Sequence, residues 1–472
     1  MLPHSRRQSL CRQRAFDKIS RTQNAIDSTD RFSTDTDRTF SIPSSIISNM
    51  AEAEKALIEK VELRIALANN DTKFESALKV YLAPLLLKFA SPQQQVRTQI
   101  SKTVSYLITR INSAKNVKLP VDALINQVKN PTVPKGADPT TVQTYTLLFV
   151  SKGISRLSED EQKLLIPKII NGISSTSSLI GARLFSILCK LLVSFKFPIK
   201  SKADEKAYRE FLGLEKDDED NKDEDFLIEK FYKFMIMIPV QANEQGVIPK
   251  GISLPGLSKD DVAFFTHNAG VTFDSPTLTS YKRSILKFIE YGFNEKKSNI
   301  VLIVSSADSA TEISELGTSI LKRRSIDHED PFIVDTLLSL FVGDLSNGRP
   351  PAKVQLQEKL MNFFTQSKRA ALSSELGKLS SIGLNSEFKK LKQTTVRFIK
   401  WVTTIMTDES VQFQDDLSVN MAAQLKASLQ TEKALDVTGN FNSYLLQRRY
   451  EYEALGLILR KSPKLDGLLY LA

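Results

Sequence analysis

From Met50 onward, apolar residues recur every third or fourth position, and short turns separate one such run from the next. That period belongs to amphipathic helices and not to strands, whose inward positions alternate every second residue. Leu57, Val61, Ile65 and Leu67 mark a first helix, and Phe74, Leu78, Leu82, Leu85 and Phe89 a second. Val96, Ile100, Val104, Leu107 and Ile111 form a third stripe after "ASPQQQ", where Ser91 is placed to cap the helix and Pro92 to open it. Two antiparallel helices joined by so short a turn bury their stripes against each other as an αα-hairpin.

The pattern returns with different residues. It predicts helices near 121–128, 140–152, 158–172, 176–194, 276–291, 308–323, 331–342, 352–364, 386–406, 410–430 and 441–460. The β-branched run Ile300–Val304 is the one segment that could be a buried strand, and its helical surroundings favour a buried helix. Many helices with short turns and no alternating strands leave a bundle or a stack of hairpins, and the spacing favours the stack. The fold class is therefore all-α, an α-solenoid of HEAT-like helical hairpins of the armadillo/HEAT kind. In the clearest repeat Pro84 can kink the first helix, while Val96 points inward and Arg97 outward at the start of the second. Val396-Arg397 repeats that entry later. Repeats of roughly 40–47 residues suit the length after position 49. The final "KLDGLLYLA" reads as an unfinished apolar helix, the front portion of a longer array.

Residues 1–49 differ. They hold seven Arg, five Asp, no Glu and 14 Ser or Thr without a sustained apolar period, which reads as a disordered extension. Asp17, Asp27, Asp30, Asp35 and Asp37 contradict a mitochondrial transit peptide, and Met50 is a candidate start. Residues 50–238 then form a first block of repeats, with a solvated acidic loop at 215–225. An irregular Pro/Gly loop occupies 239–258, around Pro239, Pro249 and Pro255, and offers a place for partner docking. A second block fills 259–472.

The chemistry of enzymes is sparse. His4, His267 and His328 are the only histidines, and Cys11 and Cys189 the only cysteines. They form no zinc spacing or disulfide framework, and the acidic loop lacks the glycine of a calcium loop. No phosphate-binding glycine motif or nucleophile elbow is present. The apolar surroundings of Cys189 suit a small core residue better than a nucleophile. We expect no enzyme, no cofactor and no metal. No apolar run approaches the roughly 18 residues of a membrane span. The paucity of cysteine points to cytoplasm and nucleus. The net charge of +10 is dispersed, without the basic stripe and interleaved aromatics of a nucleic-acid groove. Lys322, Arg323, Arg324, Lys389 and Lys390 are the clustered cations most suited to an acidic partner surface.

Four blocks carry more. "LRIALANNDTKFESALKVYLAPLLLKFASPQQQVRTQI", "RINSAKNVKLPVDALINQ", "GISLPGLSKDDVAFFTHNAG" and "IVLIVSSADSATEISELGTSILKR" occur in that order. Together they resemble the N-terminal region of the large proteasome-associated HEAT-repeat scaffold family, known as extracellular mutant protein twenty-nine. The resemblance implies a non-catalytic adaptor that binds the 26S proteasome, bridges its core and regulatory particles, and links proteasomes to membrane-trafficking or motor proteins. It supplies no catalytic residues. A nuclear transport carrier or a phosphatase-type scaffold would use the same repeats, and these blocks argue against both.

Overall fold

The computed structural model describes residues 44–195, 202–214, 221–243, 248, 251–408, 419, 421–423, 425–427 and 441–461. The calls on residues 1–43 and 215–220, most of the 410–430 helix and the end from 462 onward lie outside them. Contacts divide the chain between Leu57 and Ile58. What is described ahead of that division is the leading part of helix α1 (Ser44–Ala66), which begins before Met50.

The chain continues as α2 (Asp71–Leu87), α3 (Gln94–Ser113), α4 (Val121–Lys129), α5 (Thr140–Ile154), α6 (Glu159–Lys163) and α7 (Leu165–Ile170). There follow α8 (Ser178–Ser194), α9 (Lys202–Leu212), α10 (Lys222–Ile236) and α11 (Lys259–Ala263), which runs on into a π-helical turn at Phe264–Asn268. Then come α12 (Ser275–Gly292), α13 (Glu295–Ser305), α14 (Thr311–Leu321), α15 (Pro331–Val342) and α16 (Val354–Phe364). The last are α17 (Lys368–Ala371), α18 (Leu376–Leu384), α19 (Lys389–Asp408) and α20 (Phe441–Lys461). Among the described residues there is no strand, and no helix is long and apolar enough to cross a membrane.

Each helix packs on others close to it in the chain, α4 on α5, α10 on α13, α13 on α14, α16 on α19 and α19 on α20. This is the all-α solenoid that the periodicity predicts, since no hairpin can bury its stripe alone. The second and third stripes are buried as expected, from Phe74 to Phe89 and from Val96 to Ile111. The first is buried only in part: Ile65 is in the core and Val61 packs against it, but Leu57 and Leu67 are exposed, and Ile58 takes an inner position instead.

Ser91 does not cap α3. That helix starts at Gln94 with no side-chain cap, and a 3-10 turn at Lys88–Ala90 intervenes. The Arg97 guanidinium instead donates to the Ser91 and Pro92 carbonyls at 2.7 and 3.1 Å. The predicted 158–172 helix breaks into α6 and α7 on either side of Leu164.

The run Ile300–Val304 is helical, and all five of its side chains are buried. The reason is its position. α13 packs on α10, α12, α14, α15 and α16, and a helix enclosed on all sides is apolar all round. Helices on the two sides of the 239–258 loop meet directly, α10 on α13 and α8 on α12.

Candidate functional site

The basic residues singled out from the sequence have separate fates. Lys322 is exposed, and Arg323 pairs with Glu290 at 2.7 Å. Arg324 points into the fold, donating to Ser298 Oγ at 2.9 Å and to the Ile289 carbonyl at 2.9 Å. Lys389 and Lys390 are exposed in the first turn of α19, which packs on α16, α18 and α20, whereas Lys322 follows α14, which packs on α12 and α13. Val96 and Val396 are fully buried, Arg397 lies 5.9 Å from the Tyr450 ring, and Pro84 sits inside α2. Cys189 is 1% exposed, and burial pushes its thiol up.

Arg324 belongs to a recurring device. Arg110 reaches the Ile65 and Ala68 carbonyls at the end of α1, and Arg156 reaches Ile111, Ala114 and Val117 at the end of α3. Both the Arg110–Ile65 and the Arg156–Ile111 bonds span 45 residues, one HEAT-repeat length. Lys129 does the same for Lys168 and Asn171 behind α7. The last carbonyls of a helix have no partner within it and carry its negative dipole end, so a cation from a neighbouring helical segment both bonds and neutralises them.

Carboxylates also tie the array. Asp308, in the "SSAD" block, places its carboxylate 2.6 Å from Lys282 Nζ, with both side chains 5% exposed. Lys282 also donates to the Met237 carbonyl at 2.8 Å, and Asp308 accepts the Ala310 N–H at 2.8 Å ahead of α14. Burial lowers the Lys282 pKa, with the Asp308 charge opposing it.

The stretch expected to be a solvated acidic loop is structural at its end. Asn221 caps α10, and Asp223 accepts from the Gly172 and Ser174 N–H groups. Glu224, 4% exposed, accepts from Asn294 N–H, and Asp225 pairs with Lys297 at 2.6 Å.

Above α10, two loops from distant parts of the sequence dock on one another. The first carries "SLPGLSKDD" of the third block, closed by a Leu254–Leu257 bridge, and Gly256 N–H donates to the Pro350 carbonyl at 3.1 Å. The second is "GDLSNGRPP". Asp344 and Arg349 exchange two backbone bonds of 2.8 Å, and the Asp344 carboxylate accepts from Ser346 and Asn347. Those bonds hold the Asp344 carboxyl below its ordinary range.

Gly343 has φ +83, and a Cβ there would lie 2.8 Å from Pro351 N, so only glycine turns this corner. An interlocked aromatic cluster joins α10 to the segments that follow α11: Phe234 lies 5.3 Å from Phe265 and 5.5 Å from Phe273, and Phe265 5.3 Å from Phe264.

Between the loops lies an open cleft of about 500 Å³, lined by Lys233, Ser258, Asp260, Asp261, Asp344, Ser346, Asn347 and Arg349. Lys233 is shared by Asp261 at 2.8 Å and Glu229 at 2.7 Å. Burial would raise Asp261, but the Lys233 ammonium and the Ser258 donors outweigh it and hold the carboxyl low. Arg349 donates to Ser339 through one guanidinium nitrogen, while its Nε is buried without a partner among the described residues. Small-molecule pockets are mostly apolar, and this one is polar throughout, which suits the edge of a protein-binding surface better. The 239–258 loop, expected from the sequence to be a place for partner docking, is thus joined to a second loop, 343–350. Its Asp-x-Ser-Asn-Gly run, with Arg349 and then two prolines after it, was the sequence signal for a fixed turn.

A family model described as "Proteasome component ECM29, N-terminal" matches residues 58–468. The chain belongs to the ECM29 family. It is 36% identical over 443 residues to "Proteasome component ECM29" of Saccharomyces cerevisiae, covering 89% of this chain and 23% of that protein. It is 25% identical to the "Proteasome-associated protein ECM29 homolog" of Drosophila melanogaster, covering 69% of this chain and 16% of that protein. To the human "Proteasome adapter and scaffold protein ECM29" it is 24% identical, covering 66% and 18%. The chain thus spans about a quarter or less of the length of these ECM29 relatives. The buried Asp308, the Leu254–Leu257 turn and the Arg110 staple all lie within the matched ECM29 region.

Proposed function

We propose that the chain is a non-catalytic adaptor that binds the 26S proteasome. In this reading it stabilises or monitors the association of core and regulatory particles and links proteasomes to other cellular structures, membrane-trafficking and motor proteins among them, in cytoplasm and nucleus. The observation that carries the reading is ECM29 family membership across residues 58–468. The array supplies the physical means, since a stiff stack of helices can present separate weak contacts that gain by effective concentration.

Lys322, Arg323, Lys389 and Lys390 remain the solvent-facing candidates for acidic proteasome surfaces, Arg323 while paired with Glu290, and Arg324 is spent inside the fold. The test uses the chain as bait with purified core particles, regulatory particles and 26S proteasomes, washed at increasing salt. Recovery of a proteasome particle with the bait supports the adaptor. Recovery of none, from a folded bait, refutes it for this chain.

A further inference from the structure

We infer that the tip of the 343–350 loop is a docking anchor, whose Leu345 enters an apolar socket on a proteasome subunit while a Lys or Arg of that subunit enters the adjoining cleft. The inference rests on the adaptor reading and names where contact is made. Leu345 is 89% exposed, more than any other large apolar side chain among the described residues, and it stands on a loop rather than on a helix flank. Single exposed leucines are common and by themselves mean little.

What separates this one is how firmly it is held. The Asp344–Arg349 bonds close the turn, and Gly348 N–H donates to the Leu345 carbonyl at 3.2 Å. The Asp344 carboxylate fixes Ser346 and Asn347, and Gly256 N–H pins the loop's exit at Pro350. A rigid apolar tip has little ordering entropy left to lose on binding, the property that distinguishes interface anchors from surface residues.

The cleft beside it specifies the neighbour. Its lining holds three carboxylates, Asp260, Asp261 and Asp344, against two cations, Lys233 and Arg349. Lys233 is already divided between Asp261 and Glu229, which leaves Asp260 at the exposed rim to attract a cation. A space of about 500 Å³ admits one lysine or arginine side chain. One tip buries far less than the roughly 800 Å² per partner of a standard interface, so it is one anchor of several along the array.

The test measures binding of the full chain to purified 26S proteasomes. Leu345→Asp is expected to weaken it roughly tenfold to thirtyfold, as loss of an interface anchor does, and Leu345→Met to retain it. Because the side chain is solvent-facing, the circular dichroism and melting of both variants should match the wild type. Asp260→Lys should weaken binding by a smaller factor and make it less salt-sensitive. A photo-crosslinker at position 345 should attach to one proteasome subunit, whereas one at exposed Val80 should not.

Unchanged affinity of Leu345→Asp, or crosslinks from 345 confined to the chain itself, would overturn the anchor and leave the adaptor reading standing. An unaffected Asp260→Lys would overturn the cationic half alone. Failure of the wild-type chain to bind would overturn both.

Discussion

Replacing Asp308 by alanine should be among the most damaging single changes in the chain, although the residue sits in a short polar turn. In the folded protein its carboxylate is 2.6 Å from Lys282 Nζ, and the two side chains are equally hidden from water. Removing it leaves a buried ammonium that still donates to the Met237 carbonyl but has lost its counter-charge. The cost expected for orphaning a buried charge is about 3–5 kcal/mol. Removing both charges is a different perturbation. Lys282→Met with Asp308→Ala forfeits a carbonyl bond and a turn bond but strands no charge, so it should cost about 1–3 kcal/mol, less than Asp308→Ala alone.

Asp308→Asn separates charge from shape and gives a pH signature. Burial already lowers the Lys282 pKa, and loss of its counter-charge lowers it further. Between that folded-state value and the unfolded value near about 10.4, the unfolded chain binds more protons, so the variant should regain stability as pH rises through this window. A stacked array need not melt in one step, so amide hydrogen exchange in α12 and α14 is the direct measure, with thermal melting alongside. If the double variant proves as unstable as the two single effects added together, the ion pair is not what couples these helices.

The other expectations are simpler to state. Arg156→Ala strips a guanidinium from three carbonyls behind α3 and should cost about 1–3 kcal/mol, with Arg156→Lys recovering only part, measured by exchange of the last turn of α3. Burial lowers Lys129 to about 8. Its folded-state pKa lies below the unfolded value, so wild-type stability should gain from this residue between pH 8 and about 10.4, a gain that Lys129→Arg, charged throughout, should abolish in melting curves across that range. Gly383→Ala would set a Cβ 2.0 Å from Thr395 Oγ1, forcing α18 off α19 at about 1–3 kcal/mol, and Thr395→Ala or Thr395→Ser should change that penalty where a distant substitution should not. Cys189 should resist alkylation in the native chain and react once it is unfolded, as peptide mass spectrometry would show.

Helical period made most of the array legible, because burial repeats along one stripe and a stripe is local in sequence. The errors come where position along the helix matters more than period. In α1 the stripe is right at Ile65 but wrong at Leu57, which is exposed while its neighbour Ile58 faces inward, and Leu67 falls just past the helix end. The period gave no ruling on Ile300–Val304, since an enclosed helix and an enclosed strand are both apolar on every side.

The polar framework was hidden for another reason. Lys322, Arg323 and Arg324 look alike as a triplet, but Arg323 reaches Glu290 and Arg324 reaches Ile289 and Ser298, 26 to 35 residues away, where helix geometry alone cannot point. The acidic run ending in Asp225 failed similarly, because a carboxylate destined for a distant N–H reads like one destined for water. The third and fourth family blocks marked their positions as special without saying how. One closes a turn in the two-loop platform, and the other supplies the buried anion of an ion pair.

These hidden contacts bear on how such a chain could act as a scaffold. Hydrophobic stripes hold neighbouring helices together but tolerate some sliding, because dispersion and burial are nearly non-directional. The arginine staples are directional. Arg110 bonds the end of α1 and Arg156 the end of α3, each with a bond that spans 45 residues, so at these two steps the later hairpin is registered against the one before it.

At the platform the same logic is denser. Lys282 links Met237, at the end of α10, to Asp308, ahead of α14, and α10 also carries Lys233 of the cleft. The loop bearing Leu345 is therefore fixed to a part of the array with little freedom to shift. A weak contact made there keeps its position relative to contacts made elsewhere on the array, and effective concentration depends on that stiffness. Loosening Arg156 or Asp308 should accordingly weaken binding at sites that neither residue touches.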